Sequence, residues 1–188
     1  EYQAYFQEQF LEFGIEVSTY PYGNEIGKNQ ITANGYFCSQ DLEEEEDTDI
    51  ELVLVLNSED QTITINNSDW DFLEHQVRQT LEHEMIHREQ ATQRLGTDIM
   101  PIFTQHMDDE QKRIVYLSDP DEIDAYANDV ALDLLCHYTY MGAYSRMREY
   151  KKIRQDESPI FCEYIDTFGW NSMTVRVLVK KVLKRLET

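Results

Sequence analysis

Five residues near the middle of this chain restrict its folds more than any other feature: His83-Glu84-Met85-Ile86-His87. On a helix, His83 and His87 fall one turn apart on the same face. Two neutral imidazoles so placed can ligate one tetrahedral Zn²⁺. Glu84 lies about 100° round the helix from His83. There its carboxylate can reach a water on such an ion without ligating the ion itself. Two ligands, one general base and an acidified water are the arrangement of a zinc peptidase. A pair of satisfied structural histidines is the competing account. The chain has only 5 His in 188 residues, and two of them are in this motif.

The surrounding pattern supports a helix at the motif. Ser68 reads as an N-cap, with Asp69 and Asp71 in the first turn. Phe72, Leu73, Val77, Leu81, Met85 and Ile86 recur at helical spacing as a buried stripe, and Leu95-Gly96 closes the helix. Upstream, Tyr2, Tyr5, Phe6, Phe10 and Phe13 predict a helix over 1–13 stopped by Gly14. Tyr20 to Asn24 reads as a turn or loop. Ile31 to Ser39 reads as a strand interrupted at Asn34-Gly35 by a turn or bulge. Ile50 to Leu56 is a short continuous apolar run, and Gln61 to Asn66 alternates. Together these two predict an antiparallel hairpin.

Downstream, a short helix is expected over Asp108 to Tyr116. Asp119 and Pro120 announce a longer one, with Ile123, Ala127, Val130, Ala131, Leu134 and Leu135 inward, running to about Tyr150. Ser158-Pro159 opens a short helix stopped by Gly169. Asn171 or Ser172 caps the last one, with Val175, Leu178, Val182, Leu183 and Leu186 apolar. The chain reads as a single domain, 1–188: N-terminal helix and sheet over 1–67, motif helix over 68–96, ligand helix and C-terminal helices over 118–188.

A catalytic zinc needs three protein ligands and an open position. Gln90 and Gln93 stand where a metzincin would carry its Gly and third His. The candidates are His106, Asp108, Asp109, Glu110 and Glu122. Glu122 is favoured because it opens a strong helix beside the small residues Ala125 and Ala127. A capping role for Glu122 is the alternative.

His83-Glu84-Met85-Ile86-His87 followed by Glu122-x-x-Ala125 resembles the H-E-x-x-H…E-x-x-A pattern of small gluzincin-type metallopeptidases, the ImmA/IrrE-like minimal zincins. The likeness covers roughly Ile50 to Leu135. Tyr126 stands where the family's usual Asn follows E-x-x-A, and the gap before Glu122 is longer. The surroundings of the motif, Glu82, His83 and Gln90, are also similar to metallopeptidase-like proteins of large tailed bacteriophages. The resemblance implies an α+β, zincin-like fold, with a small antiparallel sheet packed on the H-E-x-x-H helix and a helical C-terminal half. It implies Zn²⁺ on His83, His87 and Glu122, Glu84 as general base, and an endopeptidase acting on a protein or peptide substrate. Tyr126, Tyr116 or His106 would stabilise the oxyanion, and Tyr126 is preferred. Asp129 reads as a solvated residue or a partner of a ligand His. An extended peptide would add to a strand edge at Gln61–Asn66 or Ile31–Ser39.

Composition sets the remaining bounds. Net charge is −21, so direct nucleic-acid binding is not expected and anionic membranes repel the chain. No apolar run approaches the roughly 20 residues of a membrane span. Cys38, Cys136 and Cys162 are odd in number and far apart. They point to a reducing compartment, the host cytoplasm or a virion for a phage protein, and to buried small hydrophobes. Two other functions fit the same letters. One is a catalytically silent zincin-fold assembly protein. The other is an acidic nucleic-acid mimic that binds a basic protein partner.

Overall fold

The computed structural model describes residues 15–21, 31–38, 49–56, 67–94 and 106–187. The chain is α+β and divides into two compact units, Glu1–Asp98 and Ile99–Thr188. No helix among the described residues is long and apolar enough to cross a membrane.

The first unit holds strands β1 (Ile15–Pro21), β2 (Ile31–Phe37) and β3 (Ile50–Leu56) and the long helix α1 (Asn67–Gln93). The sheet order is β1-β3-β2. β3 is central because its apolar run buries both parities: Ile50, Leu52 and Leu54, but also Val53. β1 alternates instead, with Ile15 and Val17 buried and Glu16 exposed. Helix α1 packs on β2 and β3. Leu73, Val77 and Leu81, at steps of four, close the small core against Ile15, Val17, Ile50, Leu52 and Leu54.

Several expectations change here. The sheet is mixed, not antiparallel: β1 runs parallel to β3, Ile15 opposite Ile50, while β2 runs antiparallel to it. The end of β1, Tyr20 and Pro21, falls in the stretch that reads as turn or loop. Asn34-Gly35 is neither turn nor bulge, since Asn34 and Gly35 pair in continuous register with Val53 and Leu52. The stripe on α1 is narrower than its letters. Phe72 is 58% and Met85 51% exposed. A sheet of three short strands covers only one side of the helix. The predicted helix over 1–13 and the strand over 61–66 lie outside the described residues, as do the side chain of Ser68 and the stop at Leu95-Gly96.

The second unit is helical: α2 (Asp109–Ser118), α3 (Pro120–His137), α4 (Tyr140–Arg148), a 3₁₀ turn (Tyr150–Lys152), α5 (Pro159–Phe168) and α6 (Met173–Arg185). Helix α3 is its spine and packs against α2, α4, α5 and α6. Ala127, Val130 and Leu134 are fully buried with Phe161, Tyr164, Val175, Leu178 and Val182. Each large apolar side chain so buried contributes about 1.5–3 kcal/mol before entropy is counted. The polar seam of α3 meets α6: Lys181 Nζ donates to Asp124 at 2.8 Å, and Arg185 lies 3.5 Å from the same carboxylate.

Asp119 is the predicted cap of α3, and of Asn171 and Ser172 it is Ser172 that caps α6. Asp119 accepts from Asp121 N at 2.8 Å with Pro120 next in line, and Ser158 caps α5. Gly169 ends α5 at φ +76°, a conformation that favours glycine. Helix α3 does not run on to Tyr150. Tyr138 turns extended at its C-terminus, and Thr139 caps a separate helix. Cys38 and Cys136 are exposed rather than buried.

Candidate metal centre

The motif is helical, and α1 sets its two histidines on one face. His83 is 8% exposed and His87 half-buried. Their Nε2 atoms lie 3.2 Å apart, with the rings 4.9 Å between centroids and inclined at 68°. Two nitrogens on a tetrahedral zinc, each at about 2.0–2.1 Å, must themselves lie about 3.3 Å apart. The imidazole pair therefore already has the spacing of two ligands of one ion. The second nitrogen of His87, Nδ1, is 3.0 Å from Gln90 Oε1.

Around the pair, α1 is tied to the sheet on both sides. Arg88 Nε lies 2.8 Å from Asp49 Oδ2, whose side chain is 4% exposed. The Asp49 backbone carbonyl accepts the Cys38 backbone N–H at 3.0 Å, at the end where β2 and β3 meet. At Gly35 the backbone of β2 comes so close to α1 that an added Cβ would stand 2.6 Å from Thr80 Cγ2 and 2.7 Å from Glu84 Cγ. Glu84 is half-buried, and its Oε1 would be 3.0 Å from that Cβ. Glu84 is thus laid over a stretch of strand that has no side chain.

Glu122 stands in the first turn of α3, just after cap Asp119 and Pro120, and is 9% exposed. Half-buried Tyr116 and Tyr126 and buried Tyr164 lie near it within that unit. The Tyr116 hydroxyl is hydrogen-bonded with both Glu122 and Tyr126, and burial, then the proximity of Tyr126 and Glu122, pushes its pKa well up. Tyr126 is also raised, chiefly by burial, and its ring meets Tyr116 and Tyr164 edge-on at 6.3 and 5.8 Å. Both hydroxyls remain protonated at any physiological pH.

His83, His87 and Glu122 each offer a ligand atom, and these atoms all lie within 4.8 Å of one another, close enough to hold a metal ion. Two neutral imidazoles and a carboxylate are a donor set that suits Zn²⁺. His106, Asp108, Asp109 and Glu110 are exposed and do not join the group. Asp108 serves as the N-cap of α2, accepting from Gln111 N at 2.8 Å in a capping box. Asp129 is 3% exposed, so it is not the solvated residue its polarity suggested.

Comparison with protein-family models, with curated proteins and with solved structures found no match.

Three features of this geometry differ in how far the sequence signals them. Gly35 was legible as a glycine in a strand, which marks a bulge or a close approach of backbone, and the close approach is the one realised. Gln90, three residues past His87, lies on the helical neighbour spacing. The Asp49–Arg88 tie has no local signal, because the two residues are far apart in sequence.

Proposed function

We propose that the protein is a zinc-dependent peptidase of the minimal zincin type, with His83, His87 and Glu122 as ligands and Glu84 as general base. The observation that carries this reading is the three-residue group, reached from a motif whose fourth member, Glu84, sits beside the first ligand. When bound, zinc supplies Lewis-acid polarisation of a carbonyl and acidifies a water.

The protein's own groups do the rest. Glu84 takes the proton of the attacking water and returns it to the departing amine. The bare backbone at Gly35 leaves room for the Glu84 side chain to lie against β2. Tyr126 or Tyr116, each a protonated hydroxyl in the Glu122 cluster, supplies a hydrogen bond to the developing oxyanion. β2 pairs only with β3 among the described residues, and an extended peptide or unfolded protein segment adds to its other edge as the substrate. Three cysteines, odd in number and far apart in the sequence, fit a reducing compartment.

The test is metal content together with hydrolysis of an unfolded protein substrate. Wild type carries one zinc per chain and cleaves. His83→Ala carries none. Glu84→Gln keeps the zinc and loses cleavage. Equal, negligible zinc in wild type and His83→Ala ends the metal reading. Zinc in wild type with no cleavage moves the protein to the structural alternative, in which the ion only clamps the fold.

A further inference from the structure

The two histidines of the motif do not have the same surroundings. His83 Nε2 and His87 Nε2 face each other at 3.2 Å. Behind His87, its Nδ1 meets Gln90 Oε1 at 3.0 Å. An amide oxygen can only accept a hydrogen bond, so the nitrogen facing it must carry the proton. A neutral imidazole has one N–H. With that proton on Nδ1, His87 Nε2 presents its lone pair toward His83.

We infer that Gln90 is a positioning residue that presets His87 as an Nε2 ligand by holding its single proton on Nδ1. The inference rests on reading His83 and His87 as metal ligands. Ligating histidines generally give their other ring N–H to a fixed acceptor, which sets tautomer and ring orientation. Here the acceptor is a neutral amide on the same helix, three residues on, so α1 alone supplies it. The arrangement makes the pair asymmetric. In the metal-free protein His83 must be the donor of the Nε2···Nε2 contact, with its own proton on Nε2. On metal binding the proton of His83 moves to Nδ1 or leaves, while that of His87 stays where it is.

A merely structural Gln90 would be an ordinary i,i+3 helix contact. Exchanging it would then change stability slightly and tautomers not at all. Long-range proton–nitrogen correlation spectra of the metal-free full chain, with His87→Asn to identify the signals, read the tautomers directly. Wild type is expected to show Nδ1–H on His87 and Nε2–H on His83, and zinc sulfate should convert only His83. Gln90→Leu should move the His87 proton to Nε2 and lower zinc affinity by about 10–100-fold in a chelator competition. Gln90→Glu keeps a pure acceptor at that point and should retain Nδ1–H and at least wild-type affinity.

An Nε2–H on His87 in the metal-free wild type overturns the inference. So does a Gln90→Glu chain that loses affinity as Gln90→Leu does. If Gln90→Leu fails to fold, the wild-type spectrum and Gln90→Glu still decide. If wild type takes up no zinc yet His87 carries its proton on Nδ1, the Gln90 contact stands and the metal reading falls.

Discussion

Replacing Gly35 by alanine tests how closely β2 and α1 are fitted around Glu84. The added methyl would stand 2.6 Å from Thr80 Cγ2, 2.7 Å from Glu84 Cγ and 3.0 Å from Glu84 Oε1. Ordinary contact begins near 3.4 Å, so two side chains one helical turn apart must give by about 0.8 and 0.7 Å. Thr80 is β-branched and stiff at χ1. The Glu84 atom that collides is near its root rather than at its flexible end. Overpacking of this kind costs about 1–3 kcal/mol. The gain from removing a strand glycine, about 0.5–1 kcal/mol, offsets part of it. The expected net loss is about 1–2 kcal/mol. Trp70 packs beside the core of this unit, so its fluorescence in a Trp170→Phe background reports the urea transition of the N-terminal part. Thr80→Ser and Glu84→Ala each remove one colliding group. Each should recover part of the loss when combined with Gly35→Ala, with a coupling of at least about 0.5 kcal/mol. If the proposed activity holds, Gly35→Ala should also cost roughly a hundredfold in turnover, because a base displaced by about 1 Å is a poor one. A Gly35→Ala protein as stable as wild type, or a loss that neither second substitution relieves, would refute the close fit.

Further measurements follow from the second unit and from the sheet. The Glu157 carboxylate is 2% exposed and accepts from Arg146 at 2.6 Å, from the Arg154 backbone N–H at 2.8 Å and from the Tyr138 hydroxyl. Burial raises its pKa, but these donors outweigh burial and hold it at about 2 against an ordinary 4.5. A carboxyl depressed in the folded state stabilises above its unfolded pKa and loses that contribution as pH falls. Wild type should therefore exceed Glu157→Gln by up to about 3 kcal/mol at neutral pH, and the difference should shrink between pH 4.5 and 2. Urea curves at a series of pH values check this, and a constant difference would discard it. Ser158 caps α5 and donates to buried Asp133 at 2.7 Å. Ser158→Ala should cost about 1–3 kcal/mol by the same curves read at Trp170. Arg88→Met leaves the Asp49 carboxylate, 4% exposed, without its nearest cation. It should lower the Trp70-reported stability by about 1–3 kcal/mol, and an unchanged midpoint would show that the tie contributes nothing.

Local rules made the helical part of this chain readable. Asp119-Pro120, Ser158-Pro159, Ser172 and Gly169 each start or stop a helix through one hydrogen bond or one dihedral angle, and each stands where those rules put it. The limit at Tyr138 shows what they miss. Nothing in the run from Ala131 to Tyr150 forbids a longer helix, yet Tyr138 turns out and its hydroxyl meets Glu157, 19 residues on. The sheet was less legible for a similar reason. Ile15-Glu16-Val17 alternates as a strand should, but its partner is 35 residues away in sequence, so no hairpin signal joins the two. Asn34-Gly35 reads as a turn because glycine's usual reason is its dihedral freedom, whereas at Gly35 the reason is the space taken by Thr80 and Glu84. At the candidate site, the pair His83 and His87 was visible in five letters. Glu122 is preferred over His106, Asp108, Asp109 or Glu110 because it opens a strong helix beside the small residues Ala125 and Ala127, and both alanines are fully buried.

The parallel pairing of β1 with β3 also bears on how the chain acquires its structure. Ile15 cannot find Ile50 until the whole intervening stretch, including β2, has been made and collapsed around it. Closing so distant a pair exacts its loop entropy before any ladder bond repays it. The helices of the second unit form their own hydrogen bonds from neighbours a few residues apart, and only their packing, as of α6 on α3, waits for distant contacts. Refolding should therefore be biphasic, with a fast phase seen by Trp170 and a slower one seen by Trp70. During that lag β3, the most apolar segment of the chain, waits with one long edge uncovered. Self-association on refolding should begin at Ile50–Leu56, and it should rise with protein concentration while the slow phase lasts.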